Sequence, residues 1–154
     1  MDLRERLRLD VPIVQAPMAG VQGSALAIAV SRAGALGSLP CAMLTSDRVQ
    51  TEIAAIRSAT SNAFNVNFFC HAPPAPDAQR EAAWRARLAP YYREFGIDAA
   101  SIAPGAARTP FDAAAAAAVE AAKPPVVSFH FGLPPAASAM PPAAITGTRT
   151  ARTT

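Results

Sequence analysis

Apolar positions along this chain come in short runs, and stretches with helical spacing separate them. Ile13 to Ala16 predicts a short buried strand that stops at Pro17, which has no N–H for a sheet ladder. Gly20 and Gly23 then permit a sharp turn. Ser24 is placed to cap a helix from about Ser24 to Ala33, with Leu26 and Val30 on one face and Gly34 as its left-handed end. Leu36 to Leu39 fits a second strand. Thr45 or Ser46 opens a second helix, on which Val49, Ile53 and Ile56 form an amphipathic stripe. Phe64 to Phe69 is a third strand, rich in aromatic and β-branched residues.

Pro73, Pro74 and Pro76 make the next stretch an irregular loop. A polar helix is expected from Asp77 to Phe95, broken or kinked at Pro90. Thr109 as N-cap, Pro110 at the first helical position and Asp112 in the first turn predict another helix, alanine-rich up to Lys123. Val126 to Phe129 is a fourth strand, and Gly132 turns out of it. Strands alternating with helices imply an α/β protein with a parallel sheet. Periodicity leaves open whether that sheet is flat or an arc of a barrel.

Ligands of parallel α/β proteins sit at the C-terminal ends of the strands. Three stretches should therefore converge: Ala16-Pro17-Met18, Asn67 to His71, and His130-Phe131-Gly132. The loop from Pro17 to Gly23 reads either as an ordinary βα turn or as a ligand loop. Asn67 carries both donor and acceptor, so it suits the polar edge of a ligand or satisfies the local backbone. His130 ends a strongly apolar strand, where a lone histidine is more often structural than catalytic. His71, just before Pro73-Pro74, reads as a loop residue, and Cys70 as a buried, inert thiol.

Composition narrows the function classes. The chain has 154 residues, enough for one domain with a core but short of the ~250 of a complete (β/α)₈ barrel. Its net charge of +3 comes from 14 basic and 11 acidic residues without a basic stripe, so no nucleic-acid partner is expected. Cys41 and Cys70 have no paired Cys/His spacing, which argues against a disulfide framework or a metal site. No run approaches a membrane span, and the charged N-terminus is unlike a signal peptide, so no membrane partner and a cytoplasmic location are expected.

Wording adds a resemblance. Gln15-Ala16-Pro17-Met18-Ala19-Gly20 resembles the first motif of the nitronate monooxygenases. Asn65-Val66-Asn67-Phe68-Phe69-Cys70-His71-Ala72-Pro73-Pro74 is similar to their third-strand motif, and Val126 to Pro134 to their fourth-strand motif. The likeness runs from about Val11 to Pro134. It implies the N-terminal half of a TIM-type (β/α)₈ barrel over residues 1–134, followed by a disordered, non-family tail over 135–154. It further implies FMN as cofactor, with Ala16, Pro17, Met18 and Asn67 against the flavin and His130 near the substrate. The implied reaction oxidises an alkyl nitronate, with oxygen, to a carbonyl compound and nitrite.

The family's later Ala-Gly-Gly-His segment, which would carry the catalytic histidine, has no counterpart, because no His follows His130 and no Gly-Gly occurs. The expectation is therefore a truncated or frameshifted, inactive copy. The alternative is a non-catalytic half-barrel, either a decayed fragment or a module that pairs with another chain, with self-association through exposed sheet edges.

Overall fold

The structure, a computed structural model, describes residues 2–102, 108–134 and 145–147. Two compact units make up the chain, one of residues 1–71 and 108–154 and one of residues 72–107. The first unit holds a short helix α1 (Leu3–Leu7), α2 (Ser24–Arg32), β1 (Gly37–Pro40), α3 (Ser46–Ala59), β2 (Phe64–Phe69), α5 (Ala113–Ala122), β3 (Val126–His130) and β4 (Ile145–Gly147). The second holds α4 (Ala78–Glu94) and a 3-10 turn at Ala99–Ser101.

The four strands are parallel and lie in the order β1-β2-β3-β4. A segment before β1 adds to the outer edge of β1 by one parallel bridge, Val14 to Leu36. Every strand is thus a neighbour of the next in sequence, with no reversal of order.

The two faces of this sheet differ sharply. Leu39, Cys41, Phe64, Val66, Phe68, Val127 and Phe129 share one face, because side chains alternate along a strand and paired positions point the same way. They form one buried cluster with Ala27 of α2, Val49, Ile53 and Ile56 of α3, and Val119 of α5. All three helices therefore cover the same face. The opposite face begins with an apolar group of Leu9, Leu36 and Val126 and continues with Ser38, Asn65, Asn67, Ser128 and His130. Sequential order with the connecting helices α2, α3 and α5 on one face is the arrangement of a barrel arc, whereas a doubly wound sheet carries its connecting helices on both faces.

The first expected strand is reduced to its single bridge. Leu36 N–H donates to Ile13 O and Gln15 N–H to Leu36 O, both at 2.9 Å. The next donor in a parallel ladder would be residue 17, which is proline. Side chains take its place: Gln15 Oε1 accepts from Ser38 N–H at 3.1 Å, and Ser38 O accepts from Gln15 Nε2 at 3.2 Å and Gln22 Nε2 at 3.0 Å. This segment has no second neighbour among the described residues. Ile13 and Val14, expected to be buried, are 58% and 56% exposed.

Helix α2 buries Ala27 and Ser31, not Leu26 and Val30. Small residues face the sheet because α2 lies almost on the backbone of β1: a Cβ on Gly37 would overlap the Ala27 carbonyl. Ser24 does not cap this helix. Gly23 holds the N-cap position, and Ser24 N–H donates to Glu52 Oε2 of α3 at 3.1 Å. Glu52 also pairs with Arg48 at 2.7 Å. The Ser24 hydrogen bond, with help from Arg48, holds the Glu52 carboxyl below its ordinary value of 4.5. A lowered folded-state pKa means stability that is complete above 4.5 and is lost as pH falls through the folded value. Glu52→Gln should therefore cost stability at neutral pH and progressively less in acid. Urea melts of both proteins across that range check it, and a pH-independent gap would rule the linkage out.

Two helix expectations shift. Residues 109–111 extend the sheet instead of starting α5: Phe111 N–H donates to Phe69 O at 2.7 Å, and Asp112 caps Ala115 N–H at 2.8 Å. That path carries the Phe111 ring into the core, 5.0 Å from Phe68 and 5.1 Å from Phe129. Helix α4 runs through Pro90 without ending. It buries none of its residues, so solvent reaches the backbone carbonyl that Pro90 leaves without a donor. In the stretch expected to be a disordered tail, Ile145–Gly147 forms β4 and pairs with β3; residues 135–144 and 148–154 lie outside the described residues.

Candidate functional site

Asn65 and Asn67 interrupt an otherwise apolar strand at a spacing of two, so both point away from the helices. Ser128 and His130 do the same on β3. Polar side chains on a buried strand face must find partners. Asn65 Nδ2 donates to Ser38 Oγ at 3.1 Å and to Ser128 Oγ at 2.9 Å. Asn67 Nδ2 donates to Ser128 Oγ at 2.8 Å and to Ser128 O at 3.2 Å. Asn67 Oδ1 lies 3.0 Å from His130 Nδ1. One network thus spans β1, β2 and β3 and ends at the C-terminal end of β3.

Asn67 is 1% exposed, and its bonds constrain what it still offers. Both amide protons are taken by Ser128. Its oxygen keeps one lone pair beyond the one facing His130, so toward a ligand Asn67 acts as an acceptor only. Asn65 Oδ1, also buried, has no partner among the described residues. Together they present acceptors for N–H or O–H groups.

Beyond the network the strand ends carry aromatic rings. Phe69 meets His71 at 6.2 Å, His130 at 5.9 Å and Phe131 at 4.9 Å between ring centres, each edge-on. Both histidines of the chain therefore gather at the ends of β2 and β3. Phe131 takes φ +66 and is 59% exposed. A bulky residue in the left-handed region is strained, and such strain persists where surrounding structure imposes it, often beside functional sites.

Ala16, Pro17 and Met18 lie beside the end of β1, one strand removed from Asn67. Val21 and Gln22 N–H groups fold back onto Met18 O at 3.2 and 3.4 Å, and Gly20, at φ +82, turns against Met43 just past β1. The structure so brings Asn67 and His130 into direct contact and sets the 16–18 turn at the neighbouring strand end. Ser38, Asn65 and Ser128 join the site although the sequence marks them only by their alternation with apolar residues. Burial pushes the Cys41 thiol up to about 12 and raises that of Cys70, so neither is an activated nucleophile. No cluster of potential metal ligands occurs among the described residues.

The nitronate monooxygenase family model matches residues 2–143. This chain belongs to that family. The match extends past Pro134, where the resemblance in the sequence fades. The chain is 43% identical over 131 residues to the nitronate monooxygenase of Paraburkholderia phytofirmans, covering 84% of this chain and 36% of that protein. It is 39% identical over 134 residues to that of Pseudomonas aeruginosa, covering 84% and 37%. Among solved structures, nitroalkane oxidase from Streptomyces ansochromogenes superposes with a TM-score of 0.64 at 36% identity, over 82% of this chain and 35% of that one. FabK from Thermotoga maritima shares the fold alone, with a TM-score of 0.54 at 22% identity. The chain thus spans just over a third of the length of the curated relatives it matches. None of the described helices is long and apolar enough to cross a membrane.

Proposed function

We propose that this family member contributes to the FMN-dependent oxidation of alkyl nitronates to a carbonyl compound and nitrite. The supporting observation is the Ser128–Asn67–His130 network on the sheet face opposite α2, α3 and α5, at the strand ends where barrel enzymes bind their substrates. The acceptors Asn65 Oδ1 and Asn67 Oδ1 fit N–H and hydroxyl groups of a flavin, and Ala16, Pro17 and Met18 offer it backbone groups and an apolar side. When bound, a flavin would supply the two-electron oxidant that nitronates require. His130 contacts the nitro group, and the aromatic rim of Phe69 and Phe131 keeps water from it.

The test joins residues 1–134 to the corresponding remainder of the Pseudomonas aeruginosa relative. The expected product is a yellow protein that releases nitrite from an alkyl nitronate in air. Its His130→Ala variant should lose at least tenfold in kcat/KM while keeping its flavin. A chimera that holds flavin yet oxidises no nitronate would defeat the reading.

A second reading, that the chain pairs with another polypeptide along its first edge, draws on the exposed Ile13, Val14 and Val21. Sedimentation of the chain alone tests pairing with a second copy, which a monomer at all concentrations excludes.

A further inference from the structure

The orientation of the Asn67 amide follows from its neighbours. Ser128 O is a carbonyl and only accepts, so the nitrogen of the Asn67 amide must face it. The Ser128 hydroxyl, 2.8 Å from the same nitrogen, accepts from it in that orientation. Turning the amide over would set its oxygen against the Ser128 carbonyl and leave Nδ2 facing His130. With the oxygen fixed toward His130 Nδ1 at 3.0 Å, a hydrogen bond there requires the proton to sit on Nδ1. In the neutral ring the lone pair then belongs to Nε2. The rings of Phe69 and Phe131 pack beside the imidazole at 5.9 and 6.1 Å and limit its rotation.

We propose that Ser128 and Asn67 are positioning residues that hold His130 in its Nδ1–H tautomer, so that Nε2 is the atom His130 presents at the mouth of the site. Asn65 strengthens the device from below, because its own amide donates to the same Ser128 hydroxyl at 2.9 Å and anchors it. Ser128 thereby acts on His130 through Asn67. Nε2 accepts a hydrogen bond from a ligand O–H or N–H in the neutral ring and donates one to an anionic nitronate oxygen once protonated. A water-exposed imidazole would offer either nitrogen; this one offers a single atom at a fixed place. The inference rests on the reading of His130 as a substrate contact, but the tautomer can be measured without any turnover.

The chain contains only two histidines, so the ring nitrogens are readily assigned by ¹⁵N NMR of the full 154-residue protein at alkaline pH. The expected wild-type spectrum has a protonated Nδ1 and an unprotonated Nε2 for His130. Asn67→Ala should move the Nδ1 signal toward the unprotonated range as the tautomers mix. Ser128→Ala should shift it the same way by a smaller amount, and Ser128→Thr, which restores the hydroxyl, should bring it back. Circular dichroism confirms the fold of each variant. If Asn67→Ala does not fold, the wild-type tautomer and the Ser128 pair decide alone. A wild-type ring protonated on Nε2, or a Ser128→Ala spectrum identical to wild type, would overturn the proposal. A correct tautomer in a protein that never oxidises nitronates would leave it standing and defeat only the proposed function.

Discussion

Phe129→Ala should destabilise the first unit by about 3–5 kcal/mol, the usual cost of emptying a buried aromatic site. Phe129 is 2% exposed at the centre of the layer between sheet and helices. Its ring lies 5.1 Å from Phe111 and 6.4 Å from Phe68, edge-on to the first and tilted to the second. Removing it takes away the transfer term for one large apolar side chain and leaves a void that its two ring neighbours cannot fill. Phe131 is the matched control. It lies two residues on, 59% exposed and at φ +66. Phe131→Gly relieves a left-handed backbone while giving up its contact with Phe69, so the two effects oppose and the net change should be under about 1 kcal/mol. Urea unfolding of the three proteins decides the matter. Equal losses for both variants would mean that the layer between sheet and helices is not where the stability resides.

Much of that layer was legible beforehand. Helical spacing of Val49, Ile53 and Ile56, and the apolar runs around Val66 and Val127, gave strands and helices close to where they lie. The alternation that marks one face as apolar also left Ser38, Asn65, Asn67, Ser128 and His130 on the other. Reading each strand separately hides this, since the polar face emerges only when the register sets Asn67 beside Ser128. The places where expectation failed share a physical cause, competition from a partner distant in sequence. Ser24 lost its capping role to Glu52, 28 residues away. Thr109-Pro110 has the composition of a helix start, yet Phe111 gains more from the Phe69 carbonyl and the core than from an extra helical turn. Ile13 to Ala16 has strand composition, but Pro17 withholds the donor that the Ser38 carbonyl needs, and the Gln15 and Gln22 side chains supply it.

A polypeptide of these 154 residues, tested alone, should release no nitrite from alkyl nitronates and retain no flavin through dialysis. The described strands form an arc, β1-β2-β3-β4 with one bridged segment, whereas a barrel site is closed by strands from all sides. Family relatives are matched over only 36–37% of their length, so most of such a protein has no counterpart here. The acceptors at Asn65 and Asn67 suit the donors of a ring or its hydroxyls but would repel a phosphate. Anchoring of a phosphate in barrel enzymes is the work of backbone amides in late βα loops. Without that anchor, flavin affinity rests on ring contacts with a surface open on one side, where each hydrogen bond competes with water. Flavin absorbance after dialysis, followed by a nitrite assay in air, reads both halves of the expectation. Adding the remaining segment of a relative in trans should raise both signals if the polar face is a true half-site. Stoichiometric flavin and steady turnover by the chain alone would show that this arc builds a complete site by itself.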